Sequence, residues 1–184
     1  HTLREQLPDA QTDAMCLARA EEDGADPAVL AKLAGGYTGL AAEIEGEKPG
    51  PTVVLRVDID ALAVQEDATD DHIPARLGFA SCYGGNMHAC GHDSHATMLL
   101  GAAQLLQNHR DQLSRPVRLV FQPAEETLGG AAFMVEKGVL QDVTEAYCMH
   151  VRSDPRVGLF YTMNGCINAS CDNFDVIVKG KGCH

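Results

Sequence analysis

Three short apolar runs, each followed by side chains that can carry out chemistry, constrain the fold of this chain more than any other feature. Runs of this length, bounded by turn residues, are typical of buried strands, and segments with helical spacing separate them. The pattern therefore predicts a mostly parallel α/β sheet covered by helices on both faces. The runs and the polar residues after them are Thr52–Val57 with Asp58 and Asp60, Val117–Phe121 with Glu125 and Glu126, and Tyr147–Met149 with His150.

The polar residues at the ends of these runs predict one joint site. Ligands of open α/β sheets bind at the carboxyl ends of the strands, so groups placed there by separate segments are expected to meet. Each residue alone has a plainer explanation. Adjacent glutamates usually form a solvated surface, and a histidine at a strand end is usually a hydrogen-bonded core residue. The evidence is therefore the arrangement of all of them.

The segment Met87–His95 carries one thiol and three imidazoles within eight residues. Cysteine and histidine are the preferred ligands of zinc and similar metals. Cys90 and His92 are two residues apart, so on extended backbone their side chains leave on the same face. The alternative is a polar loop around one buried cysteine, since free cysteine is among the most buried residue types. No second cysteine pair makes a closed structural zinc site, so the pattern favours an open one.

The remaining periodicity predicts how the chain is organised around these motifs. Residues 66–86 are polar and irregular, and a loop of this length in a compact domain is more often functional than idle. Alternating apolar residues from Phe174 to Val178 predict a half-exposed strand that begins a different layer. Helices are predicted over Thr12–Glu22, from Pro27 to near Gly35, from Asp93 or Ser94 to Asn108 and over Gly130–Lys137, and further strands over Gly39–Ile44 and Val157–Thr162.

Composition excludes several classes of protein. The formal net charge of −12 argues against binding to nucleic acid and to anionic membrane surfaces. The longest nearly apolar stretch, Ala96 to Leu106, is too short to span a bilayer. The seven cysteines are an odd number without a regular framework, which favours reduced thiols in a cytoplasmic protein.

The motifs, in their order along the chain, resemble those of the metal-dependent amidohydrolases. That group is a branch of the aminoacylase and glutamate carboxypeptidase family. Gly35–Gly39 and Phe79–Cys82 resemble, within that branch, the aminobenzoyl-glutamate hydrolases of the A type. The segments that carry the wider resemblance are Arg56–Leu62, Met87–Asp93, Phe121–Glu126 and Met149–Val151.

The resemblance implies a fold and a domain organisation. The expected fold is a zinc-exopeptidase-like three-layer α/β sandwich with a mostly parallel sheet, into which a smaller α+β lid and dimerisation domain is inserted. Residues 1–167 would be the N-terminal part of the catalytic domain and residues 168–184 the start of the lid, with a first strand near 171–179. Relatives continue past His184 and contribute a further metal-ligand histidine. We therefore expect this truncated chain alone to be inactive or nearly so.

The resemblance also implies a metal centre. Two divalent ions, Zn²⁺ or Mn²⁺, would be held by protein side chains, and Cys90 would bridge them. Asp58 stands where the wider family has a histidine ligand, so a ligand role there is not expected. The implied ligands are Cys90, His92, Glu126 and His150.

Three further residues would take part in the reaction. Glu125 would be the general base and acid, because adjacent glutamates on extended backbone point apart and Glu126 can then bind metal. Asp60 would orient a ligand or Glu125. His184 would stabilise the oxyanion in the active site of a partner subunit of a homodimer formed through the lid.

The expected reaction is hydrolysis of the amide bond of an N-acyl amino acid, such as aminobenzoyl-glutamate. Hippurate-like and indole-acetyl amino acids are alternative substrates. A non-catalytic metal-binding fragment or an assembly subunit is the alternative of a different class.

Overall fold

The computed structural model describes residues 10–22, 24–127, 129–169 and 174–182, and its elements alternate between helix and strand. One turn of 3₁₀ helix, Arg110–Gln112, precedes β3. The elements are α1 Ala10–Glu22, α2 Pro27–Leu33, β1 Leu40–Ile44, β2 Thr52–Asp58, α3 Ile73–Leu77, α4 His92–Asn108, β3 Val117–Gln122, α5 Gly130–Glu136 and β4 Val143–Cys148.

The four strands form one mostly parallel sheet in the order β1-β3-β2-β4, as predicted. β2 pairs in parallel with β3 and with β4, while β1 pairs antiparallel with β3. β1 and β2 follow each other in the chain, and the turn-rich segment between them, residues 46–51, is typical of a link between neighbouring strands. They do not pair, because β3 lies between them. The carboxyl ends of β2, β3 and β4 consequently lie at one edge of the sheet.

Helices cover both faces of the sheet, which gives the predicted three layers. On one face, Leu99 of α4 packs in a cluster with Val57 and Leu119. On the other face, Met134 of α5 packs with Val54 and Val120. Successive side chains of a strand point to opposite sides of the sheet. Because helices cover both sides, a central strand must carry apolar side chains on both faces.

The helix starts follow local chemistry. The predicted start of α2 at Pro27 is confirmed, and Asp26 caps the helix by accepting a hydrogen bond from the backbone N–H of Ala28 at 2.7 Å. The predicted start of α4 at Asp93 or Ser94 is wrong. The helix begins at His92, after Gly91 in the left-handed conformation (φ 88°). Glycine adopts this conformation without a steric cost, so His92 lies in the first helical turn.

The long loop between β2 and α4 is organised around Glu66. Its carboxylate accepts from the backbone N–H of Ser81 at 2.6 Å and contacts His72 Nε2 at 2.8 Å. Leu62 and Met87 form an isolated antiparallel bridge that brings the two ends of the loop together. The loop therefore has internal contacts and one short helix, α3, although the sequence predicted an irregular segment.

The chain divides into two compact units, residues 1–151 and residues 152–184. In the second unit, no strand forms in residues 152–169 or 174–182. The strand predicted over Val157–Thr162 is therefore wrong. The strand predicted near 171–179 is wrong for residues 174–179, which are the part of it that the structure describes. Phe174 is 84% and Val178 86% exposed. An alternating segment becomes a strand only when a partner strand and an apolar layer lie beside it, and the described residues of this unit offer neither.

Candidate metal centre

Four segments of the chain meet at the carboxyl edge of the sheet. They are the residues after β2, β3 and β4 and the first turn of α4. Parallel pairing of β2 with both neighbours places their carboxyl ends side by side. The sequence prediction that these segments meet is therefore realised in the geometry.

The ligating atoms of this edge form two overlapping groups. Within each group the atoms lie within 4.8 Å of one another. Cys90 Sγ is also 3.4 Å from His150 Nε2. The four residues predicted as ligands are thus brought together, while their ligand role stays a prediction. One group is Asp58, His92, His95 and His150, and the other is Cys90, His92 and Glu126.

His92 belongs to both groups and is fully buried. Its Nδ1 lies 2.8 Å from the backbone carbonyl oxygen of Asp60. A carbonyl can only accept, so Nδ1 carries a proton, and in the neutral ring Nε2 then has a free lone pair. Nε2 is 3.8 Å from Asp58 Oδ2 and 3.8 Å from Glu126 Oε1. Within the described ranges, it is buried without a hydrogen-bond partner.

With a neutral His92 ring, a buried lone pair therefore faces two carboxylates. Burying His92 Nε2 without a partner is costly, and ionised carboxylates cannot donate to it. A divalent cation bound by His92 Nε2 and the Glu126 carboxylate would remove this cost. The imidazole, carboxylate and thiolate donors are also those that zinc accepts. The residues therefore fit a metal ion.

Asp60 connects two of the segments that carry predicted ligands, α4 and the turn after β3. Its carbonyl oxygen accepts from His92, and its Oδ2 accepts from the backbone N–H of Glu126 at 3.0 Å. Its Oδ1 is buried without a hydrogen-bond partner among the described residues. These contacts are consistent with the predicted orienting role of Asp60, which remains a prediction.

The environment of Cys90 holds its thiol protonated in the absence of a cation. Burial, the hydrogen bond with Glu126 and the negative charges of Glu126, Glu125 and Asp58 raise the pKa of Cys90 to about 11. The same surroundings would favour a cation. Because a thiol binds metal as the thiolate, a metal bound at Cys90 would release a proton.

Asp58 is anchored by protein groups on both oxygens. It is 1% exposed, contacts His95 Nδ1 through Oδ1 and accepts from Arg56 Nη1 at 3.1 Å through Oδ2. Burial raises the pKa of Asp58, but the hydrogen bond with His95 and the charge of Arg56 outweigh burial and lower it. These contacts agree with the expectation that Asp58 is not a metal ligand.

His95 is the residue of this centre to which the sequence analysis assigned no role. It is fully buried and its ring centroid lies 4.6 Å from that of His150. The spacing could have revealed it, because His92 and His95 are three residues apart on a helix and such residues share a face.

Glu125 lies in the turn that follows β3, where Ala124 has a positive φ of 52°. A non-glycine residue in this conformation is strained, and such strain is concentrated at functional sites. The negative charge of Glu125 contributes to the raised pKa of Cys90, and Glu125 directly precedes Glu126 of the grouped ligating atoms. Its role as the general base stays a prediction. His184, the predicted oxyanion donor, lies outside the described residues.

Comparisons with known proteins point to one family. A model of peptidase family M20/M25/M40 matches residues 54–165. An indole-3-acetyl-aspartic acid hydrolase of Enterobacter agglomerans is 40% identical over 178 residues, which cover 97% of this chain and 41% of that protein. The A-type subunit of the p-aminobenzoyl-glutamate hydrolase of Escherichia coli is 43% identical over 145 residues, which cover 79% of this chain and 33% of that protein.

A solved structure agrees with these matches. The Bacillus subtilis YXEP protein, a dinuclear metal binding peptidase from the M20 family, superposes with a TM-score of 0.59 at 39% identity. The match covers 79% of this chain and 38% of that one. The chain therefore spans about two-fifths or less of the length of the relatives that it matches.

Proposed function

Because this chain belongs to peptidase family M20/M25/M40, we propose that the whole protein is a metal-dependent amidohydrolase that cleaves N-acyl amino acids. The observation that carries the proposal is the buried lone pair of His92 Nε2, which faces the carboxylates of Asp58 and Glu126 at 3.8 Å. Catalytic metal sites keep a position open for water, and Glu125 supplies a carboxylate next to Glu126 that could take a proton from such a water.

The ligands that we propose are Cys90, His92, Glu126 and His150. Two ions held there would lower the pKa of a bound water to near ~7 and polarise the substrate carbonyl. Thiolate favours zinc, while the carboxylate and imidazole ligands also suit manganese, so Zn²⁺ and Mn²⁺ are both proposed.

Glu125 is the residue that we propose to move the proton. Its carboxylate takes a proton from the attacking water as the water oxygen bonds to the amide carbon. It then gives that proton to the amide nitrogen as the C–N bond breaks, which releases a carboxylic acid and an amino acid. Asp60 holds the backbone N–H of Glu126 and so fixes the turn from which Glu125 acts.

The names of the relatives support the substrate class. One relative is an indole-3-acetyl-aspartic acid hydrolase and another belongs to a p-aminobenzoyl-glutamate hydrolase. Both names describe an acyl group joined by an amide bond to an acidic amino acid. We therefore propose N-acyl amino acids, aminobenzoyl-glutamate among them, as substrates.

Assembly, domain organisation and compartment are also proposals. The relative from Escherichia coli is named as one subunit of its enzyme, which supports association of the whole protein with a second copy or a related chain through a lid that begins near residue 168. Across the described residues, no helix has both the length and the hydropathy to cross a membrane. The free thiols of Cys82, Cys90, Cys148 and Cys166 support a reducing compartment such as the cytoplasm.

The direct test is to measure metal content and hydrolysis on the purified whole protein. The substrate panel is aminobenzoyl-glutamate, hippurate and indole-3-acetyl-aspartate. We expect bound zinc or manganese, cleavage of at least one compound, loss of cleavage after chelation and recovery when metal is restored. Metal binding without any cleavage would favour the alternative, a non-catalytic metal-binding or assembly protein. Cleavage that survives complete removal of metal would contradict the proposal.

A further inference from the structure

A chain of hydrogen bonds behind the metal centre connects three strand ends through His95. Arg56 donates from Nε to Gln122 Oε1 at 2.9 Å and from Nη1 to Asp58 Oδ2 at 3.1 Å. Asp58 Oδ1 is hydrogen-bonded to His95 Nδ1. The backbone N–H of Val151 donates to His95 Nε2 at 2.9 Å. Residues of β2, β3, α4 and the segment after β4 are therefore joined by one hydrogen-bond network, in which Asp58 and His95 are buried.

Both ring nitrogens of His95 are used by the protein. A backbone N–H can only donate, so His95 Nε2 is the acceptor and Nδ1 carries the proton that it donates to Asp58. The ring cannot coordinate a metal unless one of these bonds breaks, although its nitrogen lies within 4.8 Å of ligating atoms of His92 and His150. His95 therefore acts on the centre through its contacts and not as a ligand.

Val151 is the point where this network reaches a predicted ligand. His150 Nδ1 lies 2.6 Å from the carbonyl oxygen of Val151, and His150 Nε2 lies 3.4 Å from Cys90 Sγ. Gly91 closes on Val151 from the other side, since a Cβ at position 91 would lie 2.5 Å from Val151 Cγ2. The Val151 N–H is thus hydrogen-bonded to His95, and the Val151 side chain lies directly against Gly91.

We propose that His95 is a positioning residue that holds the Val151 amide, and through it sets the ring of His150 against Cys90 in the metal centre. This inference rests on the proposed function. Breaking the hydrogen bond between the Val151 N–H and His95 Nε2 would leave that N–H without its partner in a part-buried place. The segment around Val151 would then relax toward another acceptor. Because His150 is its immediate neighbour, its ring would turn away with it.

Two isosteric substitutions in the whole protein separate the two bonds of His95. In His95→Gln, the side-chain oxygen reaches the place of Nε2 and can still accept from Val151. In His95→Asn, the side-chain nitrogen takes the place of Nδ1 and can donate to Asp58, but nothing reaches Val151. We expect zinc affinity, measured against a competing chelator, to fall about 10–100-fold for His95→Asn. For His95→Gln we expect it to stay close to that of the unsubstituted protein.

Leu99→Ala is the matched control for general destabilisation. Leu99 lies one turn later on α4 and is 4% exposed, yet it belongs to the apolar cluster and not to the polar network. The substitution should lower the thermal midpoint and leave zinc affinity unchanged. If Leu99→Ala lowers zinc affinity as much as His95→Asn does, the loss reflects destabilisation and the inference is wrong.

The remaining outcomes also decide the question. Equal zinc affinity for the two His95 variants, or a larger loss for His95→Gln, would overturn the positioning role while the proposed function stands, provided the unsubstituted protein binds zinc and hydrolyses its substrate. An unsubstituted protein that binds neither zinc nor manganese would overturn both.

Discussion

Replacing Glu125 with Gln in the whole protein is expected to leave the bound metal in place and to lower the turnover number by roughly 10²–10⁴-fold, the usual contribution of general acid–base catalysis. The amide has almost the same size as the carboxylate but cannot take a proton from water. The charge of Glu125 acts on Cys90, so the residue lies beside the centre without being among the grouped ligating atoms. Metal content by elemental analysis and turnover at saturating substrate are the two measurements.

Glu126→Gln is the matched comparison, since it makes the same chemical change one residue later. Glu126 Oε1 is 3.8 Å from His92 Nε2, and its carboxylate belongs with Cys90 and His92 to a group that could hold a metal ion. A neutral amide oxygen is a weaker ligand for a divalent ion, so this variant should lose metal as well as activity. The opposite pattern, with metal lost from the Glu125 variant and kept by the Glu126 variant, would exchange the two roles.

Gly130→Ala should be the most damaging of the small substitutions. The added Cβ would overlap the carbonyl oxygen of Pro123 and lie 2.7 Å from its carbonyl carbon. The backbone N–H of Gly130 also donates to the carbonyl of Ala124 at 3.3 Å, which closes the turn that carries Glu125. We expect the free energy of unfolding to fall by about 1–3 kcal/mol, the range for overpacking. Metal binding should weaken too, because the turn must move.

Gly101→Ala is the control for this prediction. Gly101 lies within α4, and a Cβ there would meet nothing within 4 Å. The same substitution should therefore raise the free energy of unfolding by about 0.4–1 kcal/mol, because alanine loses less conformational entropy on folding than glycine. Denaturant unfolding of both variants measures the difference. Equal free energies of unfolding would show that the approach of Gly130 to Pro123 does not constrain the turn.

The positions of the predicted ligands followed from the sequence because they depend on local patterns. Thr52–Val57 and Val117–Phe121 are apolar on both faces, which only a central strand requires. Parallel strands place their carboxyl ends at one edge, so Glu126 and His150 could be expected near each other before any contact was known. The cap at Asp26 is likewise a local feature of the residues beside it.

Only the tertiary structure decided which partners these residues meet. β1 pairs with β3 and not with β2, although a short turn-rich segment joins β1 to β2. The segments 157–162 and 174–179 have the sequences of strands, yet neither forms one, since no partner strand lies beside them in the described residues. Strand pairing is a contact between distant segments, and the alternation within one segment does not encode it.

For the same reason, the sequence could not distinguish the contacts of His92 from those of His95. The sequence determined that a thiol and several imidazoles lie at the start of a helix, at the edge where the strands end. It could not determine that His95 is bonded to Val151, 56 residues later in the chain, nor that His92 Nε2 is buried without a partner among the described residues. Hydrogen-bond partners and burial depend on how the whole sheet brings α4 to the end of β4, and only the packed structure contains that information.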